Sequence, residues 1–188
     1  MDAHLQKINA FLENLDADVK TALDSISKTE HHEKGAYLLR QGDVCKKSYF
    51  VEEGIVRKFY LDEGKEITTE ICFRGDLAVS FNSYVQQKPS EEFIQAVTKT
   101  TVSVTDHAAF QNLKTQFPVL TQLDLLMTEH YAMWLEERLF QFHTLNATQR
   151  YSQLIAKEPQ FVRHVPLTYI ASYLGISLET LSRIRAKS

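Results

Sequence analysis

Apolar and polar positions change period three times along this chain. Residues 3–26 carry Leu5, Ile8, Phe11, Leu12 and Leu15, then Val19, Leu23 and Ile26, at helical spacing. The pattern predicts two helices, with Asp16 or Asp18 opening the second. From about Lys28 to Asp106 it shortens to β-rich runs at 37–40, 48–53, 55–61, 65–73, 93–97 and 101–106, with Gly35, Gly42, Gly54, Gly64 and Gly75 between or beside them. Asp62-Glu63-Gly64-Lys65 predicts a hairpin loop, and Glu53-Gly54 a bend or bulge. Many short strands with such punctuation predict an antiparallel β-barrel or jelly roll within an α+β chain.

Helical periodicity returns at His107 and dominates from Phe117 to about His143. Leu120, Leu123, Met127, His130 and Trp134 follow 3-4-3-4 spacing, one seam of a coiled coil, while Tyr131, Leu135, Leu139 and Phe142 make a second stripe. A surface helix needs one apolar face. Two faces predict that one packs on the helix's own domain and the other on an identical helix of a second copy, and the first seam is assigned to the homodimer. The alternative is a helix sunk into a single domain.

Asn146-Ala147 predicts a break, and Gln149–Lys157 a helix leading to Pro159. The last residues, Pro166 to Ser188, read as two short helices hinged at Gly175. Ile170 and Leu174 share a face of the first, and Leu181 and Ile184 share a face of the second. Gly175 suits the positive φ of a tight turn, and Ser177 suits the N-cap of the second helix. Leu178, Glu179, Ser182, Arg183, Arg185 and Lys187 then face solvent, as on a recognition helix offered to the DNA major groove. An ordinary helical hairpin with a solvated face is the competing reading.

Composition changes this picture in one respect. The 188 residues carry a net charge of −3, which alone does not suggest a polyanion partner. Residues 147–188, however, hold six Lys/Arg against Glu158 and Glu179, a formal +4 that leaves the rest of the chain at −7. An acidic body with a basic terminal unit is a reason to suspect a polyanion partner for the tail, and with the helix-turn-helix reading that partner is double-stranded DNA. No apolar run is long enough to cross a bilayer, and Met1-Asp2-Ala3-His4-Leu5 does not begin a secretory signal, so no membrane association and a cytoplasmic location are expected.

Cys45 and Cys72 are the only cysteines, too few for a usual iron–sulfur cluster or an all-cysteine zinc site, and they read as buried thiols. His31-His32-Glu33 reads as a solvated strand end, because adjacent strand residues point to opposite faces and no further histidine completes a metal site. Neither metal nor cofactor is expected.

Several strings resemble the Crp/Fnr family of bacterial transcription regulators, closest to its short Bacteroidetes-type subgroup. They are Leu39-Arg40-Gln41-Gly42-Asp43, Tyr49-Phe50-Val51-Glu52-Glu53-Gly54-Ile55-Val56, Asp62-Glu63-Gly64-Lys65-Glu66, Gly75-Asp76-Leu77 and the run from Leu174 to Ile184, in order along residues 30–187. The resemblance implies a cyclic-nucleotide-binding-like barrel, a long dimerisation helix and a C-terminal helix-turn-helix. The chain divides accordingly into N-terminal helices and barrel at 1–116, a dimerisation helix at 117–145 and a DNA-binding unit at 146–188. A hinge is expected at 144–148.

Departures from the family matter equally. Members that bind cyclic nucleotides carry a Gly-Glu pair for the ribose and an Arg-Ser/Thr-Ala run for the phosphate. Here the corresponding stretches are Leu77-Ala78-Val79-Ser80-Phe81 and Pro89-Ser90-Glu91-Glu92-Phe93-Ile94-Gln95-Ala96. Carboxylates stand where a cation would neutralise the phosphate, so no cAMP binding at the usual site is expected. The barrel either takes an unknown small-molecule effector or serves as scaffold. Oxygen-sensing members ligate a cluster through N-terminal cysteines, and residues 1–44 contain none.

The family's recognition helix uses an Arg-Glu-Thr-Val-x-Arg string. Glu179 and Arg183 occupy matching positions, and Leu178 replaces the first arginine. By this resemblance Arg183 pairs with guanine and Glu179 accepts from cytosine, while Leu178 meets a thymine methyl or fills space. Ser177, Thr180, Arg185 and Lys187 are candidate phosphate contacts. Two alternatives stay open: a cupin-like metalloenzyme, for which no His-x-His pair is present, and a ligand sensor whose helix-turn-helix makes protein contacts.

Overall fold

The computed structural model describes residues 3–157 and 159–187. Met1, Asp2, Glu158 and Ser188 lie outside them. The described chain divides into two compact units. Of the described residues, 3–28 and 105–144 make one unit, and 29–104, 145–157 and 159–187 the other.

The first unit is helical: α1 (Ala3–Glu13), α2 (Ala17–Ile26), α4 (His107–Gln116) and α5 (Leu120–Thr144). Both expected N-terminal helices form, and Asp16 precedes the second. Asp106 caps α4 by accepting from the Ala109 N–H at 3.0 Å. The core of this unit is Leu15, Val19, Leu113 and Leu120, with Phe11, Leu23, Ile26, Phe117 and Leu123 packed against it. Lys114 and Asp124 pair at 2.5 Å.

The second unit contains most of the sandwich and the C-terminal helices. Its strands are β1 (Ser27–His32), β2 (Tyr37–Leu39), β3 (Lys47–Glu53), β4 (Val56–Asp62), β5 (Lys65–Cys72), β6 (Leu77–Ala78), β7 (Phe93–Ala96) and β8 (Thr100–Asp106), with the short helix α3 (Phe81–Gln86) after β6. They form two four-stranded sheets, in the orders β1-β8-β3-β6 and β2-β7-β4-β5. Six of these strands fall on the expected runs. The strands at Ser27 and Leu77 and the helix at Phe81 add to the elements that the pattern predicts.

Turn chemistry sets the register of the β4–β5 hairpin. Asp62 pairs with Lys65, and the intervening Glu63 and Gly64 both have positive φ, +48° and +81°. That two-residue turn matches strand twist. A bulge between Lys58 and Phe59 follows further along the same pair. At Gly54 (φ +85°) an added Cβ would lie 2.4 Å from the Lys99 carbonyl oxygen, so only glycine fits this close approach of two backbones.

Inside the sandwich, Leu39, Cys45, Tyr49, Val51, Val56, Cys72, Ile94, Val102 and Val104 form one apolar cluster. Cys45 and Cys72 are buried, free thiols. Burial pushes both above the ordinary thiol range. The C-terminal elements are α6 (Ala147–Lys157), α7 (Gln160–His164), α8 (Leu167–Tyr173) and α9 (Leu178–Arg185).

Candidate nucleic-acid interface

The helix-turn-helix is built from its caps inward. Asn146 opens α6 through a reciprocal pair: its Oδ1 accepts from the Gln149 N–H at 3.0 Å, and Gln149 Oε1 accepts from the Asn146 N–H at 2.9 Å. This capping box explains the chain break expected at Asn146. Helix α8 ends in Gly175 at φ +65°, with the Gly175 N–H bonded to the Ser172 carbonyl and the Ile176 N–H to the Ala171 carbonyl, both at 3.0 Å. That pair of bonds is the Schellman closure, which needs the left-handed conformation glycine adopts without strain. Ser177 Oγ then accepts from the Thr180 N–H at 3.1 Å and caps α9.

Between the two helices, Ile170, Ala171, Leu174, Leu181 and Ile184 are all buried in one cluster. The apolar pairs read from the sequence therefore face inward together. Burying Ile170, Leu174 and Leu181 contributes about 1.5–3 kcal/mol each. The opposite face of α9 is open. Leu178, Glu179, Ser182, Arg183, Arg185 and Lys187 are exposed, as is Ser177, while Thr180 is half-buried. Arg183 Nη2 donates to Thr180 Oγ1 at 3.2 Å, so the guanidinium is held against the helix and turned outward. Ser177 Oγ also donates to Thr180 Oγ1, at 3.0 Å, so both hydroxyls expected at phosphate already serve the helix.

Arg150, counted among the basic residues of the tail, is placed otherwise. Its Nε donates to the Leu174 carbonyl at 3.2 Å and its Nη1 to the Leu145 carbonyl at 2.6 Å. It joins the start of the C-terminal segment to the last turn of α8, a structural role with no local signal in the sequence.

The long helix corrects part of the expected dimer seam. Leu120 is fully buried in the helical core of its own chain, and Leu123 packs against that core. His130 stacks on His4 of α1 with ring centroids 6.0 Å apart, and His4 Nε2 lies 2.9 Å from the Leu126 carbonyl oxygen. A stripe that covers the chain's own helices is not free to cover a second copy, so these three residues face their own unit. Met127 is half-buried, and the half-buried Trp134 stacks on Tyr131 at 5.7 Å. The outward apolar residues are Leu135, Leu139 and Phe142 of the second stripe, with Leu139 60% exposed, together with Leu125, Met133 and Phe140, which lie on neither stripe.

In the barrel, the stretch 89–96 that carries Glu91 and Glu92 joins a polar network. Glu92 Oε2 accepts from Ser80 Oγ at 3.1 Å and Glu92 Oε1 from Thr69 Oγ1 at 3.3 Å. Ser80 and Ser90 hydroxyls lie 2.9 Å apart. The buried Lys58 amine is 2.7 Å from Glu70 Oε2 and donates to the Val79 carbonyl at 3.0 Å. His31 contacts the Thr101 hydroxyl at 3.1 Å, and His32 lies 3.2 Å from Glu30.

Known proteins are similar to this chain. Residues 29–117 match the cyclic nucleotide-binding domain family, which defines the barrel. The fumarate and nitrate reduction regulatory protein of Vibrio cholerae is 28% identical over 176 residues, 85% of this chain and 68% of the relative. The transcriptional activator protein Anr of Pseudomonas protegens is 28% identical over 188 residues, 91% of this chain and 75% of the relative. Among solved structures, the c-di-GMP-responsive global regulator CLP of Xanthomonas campestris superposes with a TM-score of 0.72 at 18% identity, covering 92% of this chain and 91% of that one. FixK2 of Bradyrhizobium japonicum has the same TM-score and identity over 86% and 84%. At that identity the structures speak for the fold, a nucleotide-binding-type barrel joined to a helix-turn-helix. With the matching barrel family and the fold, the two named relatives support a DNA-binding transcription regulator of the Crp/Fnr type. The family is one of regulators rather than enzymes, so the cupin-like reading falls away. No described helix is long and apolar enough to cross a membrane.

Proposed function

We propose that this regulator acts as a homodimer whose two α9 helices enter successive major grooves of a pseudo-palindromic site. The observation that carries the reading is the division of α9 into a buried apolar side and an open side bearing Glu179, Arg183, Arg185 and Lys187. Glu179 and Arg183 supply base readout, and Arg185 and Lys187 supply phosphate attraction. Leu178, 44% exposed, is available to a thymine methyl. Two recognition helices about 34 Å apart fit half-sites one turn of DNA apart.

The paired surface is α5, through the outward residues Leu135, Leu139 and Phe142 together with Trp134 and Met127. Residues 1–116 serve as the sensor-like part, 117–145 as the pairing helix and 146–188 as the DNA reader. The protein works in the cytoplasm. The barrel does not take cAMP at the usual site, because the Glu92 carboxylate, held by Ser80 and Thr69, repels a phosphate there. An effector, where there is one, is of other chemistry.

Selection of bound duplexes from a random pool tests the reading. Enrichment of a two-fold-related pair of half-sites with centres about 10 bp apart is the expected result. A pool that stays random at low salt would contradict it.

A further inference from the structure

We propose that the helix-turn-helix reads DNA while docked on the outer face of its own barrel, so that barrel and reader move as one block. The inference rests on the reading of α9 as the DNA-contacting helix and goes beyond it by fixing what orients that helix.

Three observations support a built dock. The first is a shared core. Ile55, Ile71 and Phe73 of the barrel are buried in the same cluster as Phe161, Ile170 and Leu174 of the C-terminal helices, and the Phe73 and Phe161 rings lie 4.8 Å apart. Undocking would return those side chains to water.

The second is a backbone-level bond between β5 and α8. Ser172 Oγ accepts from the Thr68 N–H at 2.8 Å and donates to the Glu66 carbonyl at 3.0 Å. One serine of the first helix thus takes up a donor and an acceptor of a barrel strand. Thr68 itself is buried.

The third is a clamp. Arg57 is 1% exposed, and its guanidinium carbon sits 4.1 Å from the centroid of Phe59 and 3.6 Å from that of Tyr169. Its Nη2 donates to Glu66 Oε2 at 2.6 Å and to Gln95 Oε1 at 2.7 Å, and its Nε to Gln95 at 3.1 Å. A buried cation gripped by a carboxylate, an amide and two ring faces is costly to move, and Tyr169 of α8 supplies one of those faces.

The dock uses α8 and the inner side of α9 and leaves Glu179, Arg183 and Arg185 exposed. Docking and DNA contact therefore do not compete for the same surface. On this reading the segment 144–148 is not a working joint between barrel and reader, and a signal acts on the block as a whole.

The test is a Thr68→Cys/Ser172→Cys protein. Thr68 N and Ser172 Oγ are 2.8 Å apart, which holds the two Cα atoms within about 6.7 Å of each other, below the upper limit a disulfide spans. Near-complete oxidation in free full-length protein is expected, and failure of the pair to form while both thiols accept alkylating reagent would overturn the dock. The oxidised protein should bind its selected operator within about twofold of the same protein reduced with dithiothreitol, whereas a loss of more than about tenfold restored by reduction would show that the reader must leave the barrel. Wild-type protein that binds no duplex would remove the DNA reading itself, and the cross-linking yield would still decide whether the dock exists.

Discussion

The guanidinium of Arg57 lies 3.6 Å from the ring centroid of Tyr169, joining a barrel strand to the first helix of the helix-turn-helix. Arg57 precedes Tyr169 by more than half the chain, so the contact is wholly tertiary. It links the stability of the C-terminal segment to that of the sandwich. A double-mutant cycle of Arg57→Met and Tyr169→Leu should show a coupling of about 0.5–2 kcal/mol in denaturant unfolding. Additive effects would mean that the two side chains do not sense one another.

Gly54 is a second point where the backbone dictates the residue. Its φ is +85°, and a methyl placed on it would lie 2.4 Å from the Lys99 carbonyl oxygen, which leaves no room for alanine. Gly54→Ala should lower stability by at least roughly 1–3 kcal/mol. Unchanged thermal unfolding would show that the β3–β4 turn can relax away from Lys99.

Acid sensitivity has one identifiable source at Glu30. Partial burial pushes its carboxyl upward, but the Lys47 amine at 2.9 Å and the nearby His32 outweigh this and hold it below the ordinary carboxylate range. A folded-state pKa below the unfolded one stabilises the protein above about pH 4.3, the unfolded value, and the contribution is lost as pH falls through the folded value. The gap in melting temperature between wild type and Glu30→Gln should be full near neutrality and close in acid. A gap independent of pH would assign the effect to packing.

The pairing face of α5 is tested by its outward stripe. Leu139, 60% exposed in the single chain, should be covered in the dimer. Leu139→Glu removes about 1.5–3 kcal/mol of burial per subunit and introduces a charge into the seam, so sedimentation should shift toward monomer. A dimer of wild-type strength would place the interface elsewhere.

Some of this was legible in the chain and some was not, for physical reasons. Asp62-Glu63-Gly64-Lys65 announced its hairpin because positive φ at two adjacent positions restricts residue choice. Gly175 and Ser177 announced the helix-turn-helix for the same local reason, and the exposed face of α9 followed from its period. Strand β1 was invisible because Ser27-Lys28-Thr29-Glu30-His31-His32 has no apolar alternation. Strand β6 has two residues and α3 six, too few for a period to show. Asn146-x-x-Gln149 carries a capping-box signal, which is the physical origin of the break at Asn146-Ala147.

The larger misreadings concern long-range packing. Spacing shows two apolar stripes on α5 but does not mark which one its own helices cover, and Leu120, Leu123 and His130 turn inward although they share the coiled-coil seam. Arg57-Lys58 reads in sequence as a charged pair in a strand, yet both side chains are buried, one under α8 and the other against Glu70 and the Val79 carbonyl. Nothing local marks such residues, because their partners come from distant segments.

The central claim, that the open face of α9 reads base sequence, is tested most directly by comparing wild type and Arg183→Ala on a selected operator and on variants of each half-site position. Anisotropy titrations at fixed salt should show a loss of about 1–3 kcal/mol for the mutant together with relaxed preference at one position per half-site. Equal affinity and an unchanged preference profile would contradict it.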